Sequence, residues 1–307
     1  MSQDHVPSSA DFVRGQVTVQ VPATSANLGP GFDCLGLALD LHDRLTAEIV
    51  DSGLQVEISG EGADSLPHDE THLVVRVMRR AFDEMGVGQP GLRVRFENAV
   101  PQARGLGSSS AAIVGGLALA RALVPEKHRF DDVALLDLAT AIEGHPDNVA
   151  PALLGGFVVC GHDGTATWAV QAPVAAAVST VVFVPTEGLS TEVARGLLPP
   201  DVSHAAAAAN SGRTALLVAA LGGATDELFR ATEDFLHQRF RASAMPASLD
   251  LVDALRADGH AAVVSGAGPT VLVLTADDRG DLLDRRPAGW SAYPLAIDRA
   301  GVRTVVS

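Results

Sequence analysis

The feature of this chain that most constrains its fold and its ligands is a loop rich in glycine and serine that leads into a helix. Small residues follow the loop, which in order reads Pro101, Gln102, Ala103, Arg104, Gly105, Leu106, Gly107, Ser108, Ser109, Ser110 and Ala111. Glycine lets backbone approach a ligand closely, and the first turn of a helix offers free N–H groups at the positive end of its dipole. This combination predicts an anion site, and the usual anion is phosphate. The alternative is an N-capped helix after an ordinary turn, because serine is a preferred cap.

The loop lacks the lysine of two large classes of phosphate-binding motif. A Walker-type loop needs Gly-Lys-Ser/Thr, and a protein kinase needs a lysine on a strand beside the phosphates. The only lysine of this chain is Lys127, which lies in a polar stretch. A bound nucleoside triphosphate must therefore be neutralised by backbone amides, a helix dipole, a divalent metal and arginine.

Charge and composition exclude several classes of partner. The net charge of −15 argues against nucleic acids and anionic membranes, since both attract basic surfaces. Aromatic residues make up only 4% of the chain, which argues against recognition of single strands by stacking. Residues 1–15 contain no apolar segment typical of a signal peptide, and no apolar stretch reaches the ~20 residues of a membrane span. We therefore expect a cytoplasmic protein.

Strand-like and helix-like patterns alternate irregularly along the chain, which predicts an α+β fold and not a doubly wound parallel sheet. Residues 51–53, Asp-Ser-Gly, predict a hairpin between strands at 45–50 and 54–59. The other predicted strands lie at 16–21, 92–96, 156–160, 165–170, 179–184, 262–264 and 270–274. Apolar spacing predicts helices at 71–85, 108–123, 131–143, 191–197, 205–221, 226–235 and 248–257.

The sequence indicates the domain boundaries less clearly than it indicates the helices and strands. We predict a disordered lead over residues 1–14, an N-terminal domain over 15–172 and a C-terminal domain over 173–307. Pro173 is the marker for the boundary, and no low-complexity linker accompanies it.

Two further segments are rich in residues that form turns. Residues 21–36 follow a strand and present Asn27 and Asp33, which are either functional or members of Asx turns. Residues 265–270, Ser-Gly-Ala-Gly-Pro-Thr, join two strands. This second segment is either a tight turn or a place where backbone approaches a ligand or the phosphate loop.

A fourth segment, Glu-Gly-His-Pro-Asp-Asn at 143–148, places a carboxylate at the end of a helix. The helix dipole disfavours a carboxylate there unless a cation compensates, and Mg²⁺ bound between a carboxylate and phosphates fits that need. The alternative is a partly exposed Glu143 at a small cost. His145 is either a substrate contact or an ordinary turn residue.

Together these four segments resemble the GHMP kinases, the family of galactose, homoserine, mevalonate and phosphomevalonate kinases. Residues 101–109 look like the phosphate loop of the family, and residues 265–269 look like its C-terminal glycine motif. Three segments are similar to homoserine kinases in particular, namely residues 22–33, 145–151 and 237–241. The resemblance spans roughly residues 15 to 305.

The resemblance implies a two-domain GHMP kinase fold, with an N-terminal phosphate-loop domain, a C-terminal ferredoxin-like domain and the active site between them. It implies that ATP binds the loop from Pro101 to Ala111, and that Mg²⁺ is bound by Glu143 with Ser108 or Ser109. The substrate contacts that it implies are Asn27, Asp33, His145, Asn148, Arg195 and Arg241, of which the two arginines bind a carboxylate. The catalytic residues that it implies are Asp33, Asn148 and Glu143.

The chain departs from the pattern of homoserine kinases at two positions. His72-Leu73 stands where the family often has Asn-Leu near the adenine, which puts the adenine contacts in doubt. Ser110 stands where the family has alanine, a mild change.

We therefore expect an ATP-dependent kinase that phosphorylates the side-chain hydroxyl of L-homoserine in threonine biosynthesis, with L-homoserine as its small-molecule partner, and that forms a homodimer. One alternative is another GHMP kinase of the mevalonate type, which the segment 22–33 and Asn148 disfavour, because mevalonate-type kinases present an aspartate base at the latter position. The other alternative is a nucleotide-binding sensor without catalysis. Because Asn148 cannot accept a proton as a carboxylate does, we expect catalysis by positioning, with Asp33 orienting the hydroxyl or the ammonium group.

Overall fold

Two β-sheets with associated helices make up the protein. The computed structural model describes residues 12–164, 166–277 and 282–305. Helices and strands alternate without a regular βα repeat, and the predicted α+β fold is confirmed. None of the helices within these ranges is both long and apolar enough to cross a membrane.

The first sheet contains strands from both ends of the chain. Its strands are β1 (Val17–Asn27), β2 (Gly31–Val50), β3 (Leu54–Gly60), β4 (Gly91–Asn98), β5 (Phe157–Asp163), β6 (Ala166–Ala172) and β11 (Arg303–Val305). The main path runs β11-β1-β2-β4-β3, and β5 pairs with the first part of β2 and with β6. The long β2 pairs with three neighbours, β1, β4 and β5.

The predicted hairpin between β2 and β3 is wrong. Strand β4 lies between them, and β3 pairs with β4 in the parallel direction, from Leu54 opposite Leu92 to Gly60 opposite Asn98. Helix α1 (Leu73–Glu84) makes the crossover that parallel strands require. The burial of the strands explains the order, because the apolar residues of β4 are almost fully buried whereas those of β3 are only partly covered, as suits an edge strand.

The segment 21–36 is mostly strand, although it is rich in residues that form turns. β1 continues to Asn27, a turn spans residues 28–30, and β2 begins at Gly31. Asn27 and Asp33 have φ values of 67° and 57°, in the left-handed region that asparagine and aspartate tolerate better than most residues. The two predicted site residues therefore lie at the tip of a hairpin, one on each strand.

Four helices pack with the first sheet. The predicted helices at 71–85, 108–123 and 131–143 are confirmed as α1, α2 (Ser108–Leu123) and α3 (Asp132–Glu143). The sequence analysis missed α4 (Pro146–Leu154), a short helix with Pro151 inside it. Helices α1 and α2 pack closely at Gly116, because a Cβ there would lie 3.0 Å from Cγ1 of Val77 on α1.

The second sheet has a ferredoxin-like strand order. Its strands are β7 (Ser179–Val184), β8 (Ala261–Val264), β9 (Val271–Thr275) and β10 (Ser291–Leu295). They are arranged β10-β7-β9-β8, all antiparallel, which is the order 4-1-3-2 of a split βαβ motif. The helices of this part are α5 (Thr191–Gly196), α6 (His204–Gly222), α7 (Leu228–Ala231) and α8 (Pro246–Ala257). The helix predicted at 226–235 is thus much shorter than expected.

Both ends of the described chain pack on the first sheet and its helices. Most of the predicted disordered lead, residues 1–11, lies outside the described residues, but Phe12 is buried against Phe82 with ring centroids 5.7 Å apart. At the other end, β11 pairs with β1. Phe12 therefore belongs to the core, and β11 joins the first sheet. The domain boundary near residue 172 remains a proposal.

Asp298 fixes the segment that returns from the second sheet to the first. Its carboxylate accepts hydrogen bonds from the backbone N–H groups of Ala300 and Gly301 and from Arg303, and it pairs with His42 at 2.7 Å. Burial raises the pKa of Asp298, but these four hydrogen bonds lower it by more, so the pKa lies well below its ordinary value. The ionised carboxylate is therefore the form that stabilises the fold.

Replacing Asp298 by alanine should lower the free energy of unfolding by about 2–4 kcal/mol at pH 7, since several buried donors lose a charged acceptor. A carboxyl whose pKa is lower in the folded state stabilises the fold above its unfolded pKa of about 3.9, and this contribution is lost as the pH falls further. Urea unfolding at pH 7, 4 and 3 should therefore show the difference from the native protein shrinking below pH 4. Asp258→Ala, which removes an ion pair with Arg285 at the surface, is the control with little effect.

Candidate active site

A cavity of about 330 Å³ lies between the hairpin tip, the predicted phosphate loop (residues 101–111) and the turn between β8 and β9. Most of the predicted site residues line this cavity. They are Asn27, Gln102, Ala103, Gly105, Gly107, Ser108, Ser109, Glu143, His145, Asn148, Arg195 and Arg241. The structure thus brings together residues that are far apart in the sequence. Asp33 joins them through its ion pair with Arg195.

The phosphate loop contains two glycines in the left-handed region, Gly105 and Gly107, and packs against the turn at 265–270. Gly107 precedes α2 with a φ of 70°, so the first turn of the helix faces the cavity without a side-chain cap. A Cβ on Gly105 would lie 2.3 Å from the carbonyl oxygen of Ser265. The hydroxyl of Ser265 donates to the carbonyl of Gly105 at 2.6 Å. The second glycine segment therefore packs directly on the phosphate loop, one of the two alternatives that the sequence left open.

Replacing Gly105 by alanine should destabilise the protein by about 1–3 kcal/mol and weaken nucleotide binding, because its φ is +74° and the new Cβ meets backbone. Gly86→Ala is the matched control, since Gly86 has a φ of +65° but open space around it. The measurements are urea unfolding and the Kd for ADP. Equal losses in both variants would show that the contact with Ser265 is unimportant.

Glu143 lies against the first turn of α2. It is the last residue of α3, and Gly144 follows with a φ of 95°. Its two carboxylate oxygens accept hydrogen bonds from Ser109 at 2.7 Å and from Ser110 at 2.8 Å. Ser108, the other serine predicted as a metal ligand, lines the cavity but has no hydrogen bond with Glu143 within the described residues. Carboxylate and hydroxyl oxygens next to free helix N–H groups suit a hard cation bound to phosphate.

Asn148 and His145 belong to the start of α4, the helix that the sequence analysis missed. The hydroxyl of Thr24 donates to Oδ1 of Asn148 at 2.8 Å, which fixes the amide beside the phosphate loop. His145 bonds Asp147 through Nδ1 at 2.7 Å. Burial lowers the pKa of His145, but the hydrogen bond and charge of Asp147, with the charge of Glu143, raise it by more, so its pKa is above the ordinary value.

Asp33 and Arg195 form a bidentate ion pair at the cavity. Nη2 of Arg195 lies 2.6 Å from Oδ1 of Asp33 and Nη1 lies 3.1 Å from Oδ2. Both side chains are 35% exposed, so the pair is accessible from the cavity. Asn27 supports this arrangement, because its Oδ1 accepts from the backbone N–H of Asp33 and its Nδ2 donates to the carbonyl of Gly266. The amide of Asn27 is therefore engaged within the protein.

Arg241 is a buried cation behind this ion pair. Its side chain donates to the carbonyls of Ala194 and Gly266 and to Nδ1 of His237 at 3.1 Å. Burial, together with the charge of Arg195, lowers the pKa of Arg241 to about 10, so it remains charged at neutral pH. The guanidinium carbons of both arginines lie within 5.7 Å of the ring centroid of Phe32. Two positive charges therefore face one region of the cavity.

Two other residues of the phosphate loop, Arg104 and Leu106, do not line the cavity. Arg104 donates to the backbone carbonyls of Gln102, Pro185 and Thr186, so its guanidinium joins the loop to the segment after β7 instead of facing the cavity. Leu106 is buried in the core. The sequence could not distinguish such anchoring residues from ligand contacts.

Several residues that shape the site were not predicted. Thr24 orients Asn148, Asp147 bonds His145, and Phe32 lies beside both arginines. All three lie within the segments that resemble homoserine kinases, residues 22–33 and 145–151. Their position in these segments was the signal by which the sequence could have indicated them. Asp43 has no such signal, although it lines the cavity and accepts two backbone hydrogen bonds from residues 99 and 100.

Two sequence families match the chain. The family described as "GHMP kinases N terminal domain" matches residues 72–156, and the family described as "GHMP kinases C terminal" matches residues 215–288. The first match contains the phosphate loop and Glu143, and the second contains Arg241 and the glycine turn.

Individual proteins are similar over almost the whole length. The homoserine kinase of Streptomyces avermitilis is 53% identical over 293 residues, covering 94% of this chain and 96% of that protein. The homoserine kinase of Clavibacter michiganensis is 48% identical and covers 93% of each chain. The crystal structure of the homoserine kinase from Cytophaga hutchinsonii has a TM-score of 0.83 at 26% identity, over 99% of this chain and 100% of that one. The L. major mevalonate kinase, solved with R-mevalonate, has a TM-score of 0.69 at 14% identity, a likeness of fold alone.

Proposed function

The chain belongs to the GHMP kinase family, and we infer that it is an ATP-dependent kinase that phosphorylates the side-chain hydroxyl of L-homoserine. The family matches lie in both parts of the chain, and homoserine kinases at 53% and 48% identity cover nearly all of it. The product of the reaction is O-phospho-L-homoserine, in threonine biosynthesis.

The observation that carries this proposal is the ion pair between Asp33 and Arg195 at the cavity, with Arg241 behind it. Homoserine is a zwitterion, so its ammonium group can replace the guanidinium at Asp33 while its carboxylate replaces the aspartate at Arg195. Asp33 and Arg195 then each keep a partner of opposite charge. Leaving either of them unpaired would cost about 1–3 kcal/mol or more. A planar guanidinium can also bond a carboxylate through two parallel hydrogen bonds.

The same ion pair disfavours the mevalonate-type alternative. Mevalonate carries a carboxylate but no ammonium group, so its binding at Arg195 would leave Asp33 without a cation. A site built to bond a charged group discriminates strongly against analogues that lack it. Asn148 is a second argument, because an amide cannot serve as the carboxylate base expected in mevalonate-type kinases.

We propose that catalysis rests on positioning and charge neutralisation. The phosphoryl group passes through a loose transition state, so alignment of the hydroxyl with ATP supplies much of the rate. The free N–H groups at the start of α2 bind the phosphates, and Asn148, oriented by Thr24, bonds the reacting hydroxyl or the transferred group. Asp33 fixes the ammonium group and thereby the orientation of the substrate.

The residues around Glu143 fit Mg²⁺. A carboxylate and neighbouring serine hydroxyls are the hard oxygen ligands that this ion prefers, and the carboxylate already faces the phosphate loop. We propose Glu143 with Ser109 or Ser108 as its ligands. When bound, the ion would neutralise charge on the β- and γ-phosphates.

A panel of acceptors tests the proposed function. ADP release should be measured with ATP, Mg²⁺ and homoserine, serine, mevalonate or galactose, and kcat/KM for homoserine should exceed the others by about 100-fold or more. Equal or faster turnover of mevalonate would contradict the assignment. Nucleotide binding without turnover of any acceptor would instead favour a sensor.

The cytoplasmic location and the homodimer remain predictions from the sequence. Sedimentation of the purified protein at several concentrations would test the second.

A further inference from the structure

A buried histidine lies between the hairpin tip and the second arginine of the site. His237 is fully buried, and its Nε2 lies 2.7 Å from the carbonyl oxygen of Gly29, in the turn between β1 and β2. On the other side of the ring, Nδ1 lies 3.1 Å from Nη1 of Arg241, four residues later in the chain. The imidazole therefore connects the hairpin that carries Asp33 to the buried guanidinium.

The two neighbours of His237 define its protonation state. The carbonyl of Gly29 can only accept a hydrogen bond, so Nε2 carries the ring proton. A guanidinium can only donate, so Nδ1 is the unprotonated nitrogen that accepts from Arg241. Burial lowers the pKa of His237 by more than the charge of Asp234 raises it, and the charge of Arg241 lowers it further. The ring is therefore the neutral Nε2–H tautomer.

The guanidinium of Arg241 is fixed by three hydrogen-bond acceptors. Its Nε donates to the carbonyl of Ala194 on α5, and Nη1 donates to the carbonyl of Gly266 as well as to Nδ1 of His237. Nη2 bonds to none of the described residues, and it is not fully enclosed by protein, because Arg241 lines the cavity. Nη2 is therefore the nitrogen available to a ligand, and the bonds of Nε and Nη1 determine its direction.

The glycine turn provides a second link between Arg241 and the hairpin. The carbonyl of Gly266 accepts from Nη1 of Arg241 and also from Nδ2 of Asn27. In turn, Oδ1 of Asn27 accepts from the backbone N–H of Asp33. Together with the contact through His237, these bonds fix the position of the guanidinium relative to the aspartate.

The hairpin tip is itself fixed against the second part of the chain. The carbonyl of Pro30 accepts from Nδ2 of Asn210 at 2.7 Å and from Oγ1 of Thr214 at 2.8 Å, and both donors belong to α6. Gly29 packs so closely that a Cβ there would lie 2.6 Å from the carbonyl oxygen of Thr232. The acceptor that orients the imidazole is therefore held in place.

We propose that His237 is a positioning residue that orients Nη2 of Arg241 toward the substrate carboxylate, at a fixed distance from the carboxylate of Asp33 that binds the ammonium group. His237 does not line the cavity, so it acts through Arg241. The site thereby selects acceptors that carry both charges on one carbon atom, as L-homoserine does. This inference rests on the proposed function, in which L-homoserine is the phosphoryl acceptor.

Two amide variants separate the two hydrogen bonds of the imidazole. In His237→Gln the amide can donate to Gly29 from the position of Nε2, but Arg241 loses its acceptor, whereas in His237→Asn Oδ1 takes the place of Nδ1. Calorimetry should show that L-homoserine binds about 10- to 100-fold more weakly to His237→Gln but less than about 5-fold more weakly to His237→Asn. Each variant loses one buried hydrogen bond, so thermal unfolding should show similar losses of stability in both.

A ligand without a carboxylate separates positioning from a general loss of structure. The amine 3-aminopropan-1-ol has the ammonium and hydroxyl groups of homoserine but no carboxylate. Its affinity should be nearly the same for the native protein and His237→Gln, so the preference for homoserine over this amine should fall about 10- to 100-fold in the variant. A merely structural role of His237 would weaken the binding of both ligands together.

A double variant tests whether His237 acts through Arg241. Once Arg241→Lys has removed the guanidinium that Nδ1 bonds, His237→Gln should weaken the binding of homoserine no further, because residues that act as one unit are not additive. Additive losses, or equal losses of homoserine and the amine in His237→Gln, would overturn the inference.

The same measurements distinguish this inference from the proposed function. A native protein that binds homoserine no more tightly than the amine would refute the carboxylate site and the inference with it. Because binding is measured without ATP, a protein that shows the expected differences but transfers no phosphoryl group to homoserine would refute the kinase assignment alone.

Discussion

Replacing Glu143 by glutamine should lower kcat by about 100-fold or more, roughly 3 kcal/mol of transition-state stabilisation. The substitution keeps the size of the side chain and one carbonyl oxygen that can accept from Ser109 or Ser110. It removes the negative charge that would bind a divalent cation beside the phosphates. The fold should survive, because Glu143 is the last residue of α3 and its side chain lines the cavity.

The dependence of the rate on Mg²⁺ distinguishes a metal ligand from a general electrostatic effect. The Glu143 variant should need a much higher Mg²⁺ concentration for half-maximal rate. Glu84→Gln is the matched control, since Glu84 is likewise the last residue of a helix, α1, and pairs with Arg80 at the surface. A near-native kcat at limiting Mg²⁺ in the Glu143 variant would rule out the proposed role.

Replacing Arg195 by alanine should raise the KM for homoserine about 10- to 150-fold, because a hydrogen-bonded charge is worth about 1.5–3 kcal/mol. The loss has two parts, the missing partner for the substrate carboxylate and the uncompensated charge of Asp33. The KM for ATP should change little, since neither residue of the ion pair belongs to the loop proposed to bind the phosphates.

Arg241→Ala should have an effect of similar size on homoserine, but Arg241 is also buried and bonds two carbonyls. Arg241→Lys keeps the charge and separates the loss of binding from a loss of stability, which thermal unfolding of both variants would measure. Arg239→Ala is the control, because Arg239 pairs with Asp253 at the surface. An unchanged KM for homoserine in the alanine variants of both Arg195 and Arg241 would refute the carboxylate site.

The sequence predicted features that depend on local patterns. The start of α2 at Ser108 and the end of α3 at Glu143 follow from glycine positions and apolar spacing, and the structure places both as expected. The order of β2, β4 and β3 was not predictable, because the Asp-Ser-Gly turn suits a hairpin and only the burial of β4 shows which strand is central. α4 was missed because Pro151 interrupts its pattern.

The same limit applies to the site. Motifs indicated which residues meet at the cavity, but not which of them bond each other. That Arg195 pairs with Asp33, and that Arg104 bonds carbonyls instead of facing the cavity, depends on contacts between segments over 80 residues apart. Asp43 was not predicted because a single aspartate within a strand has no local pattern.

The pairing of β11 with β1 has a consequence for synthesis of the chain on the ribosome. The strand that covers the outer edge of β1 is made about 276 residues after β1, so this edge stays open while the intervening residues are added. At about 5–20 residues per second, that interval lasts roughly 15–60 s. An unpaired edge is a site where nascent chains can associate wrongly. Deletion of β11 should therefore reduce the yield of folded protein made in cells far more than the loss of three paired residues suggests.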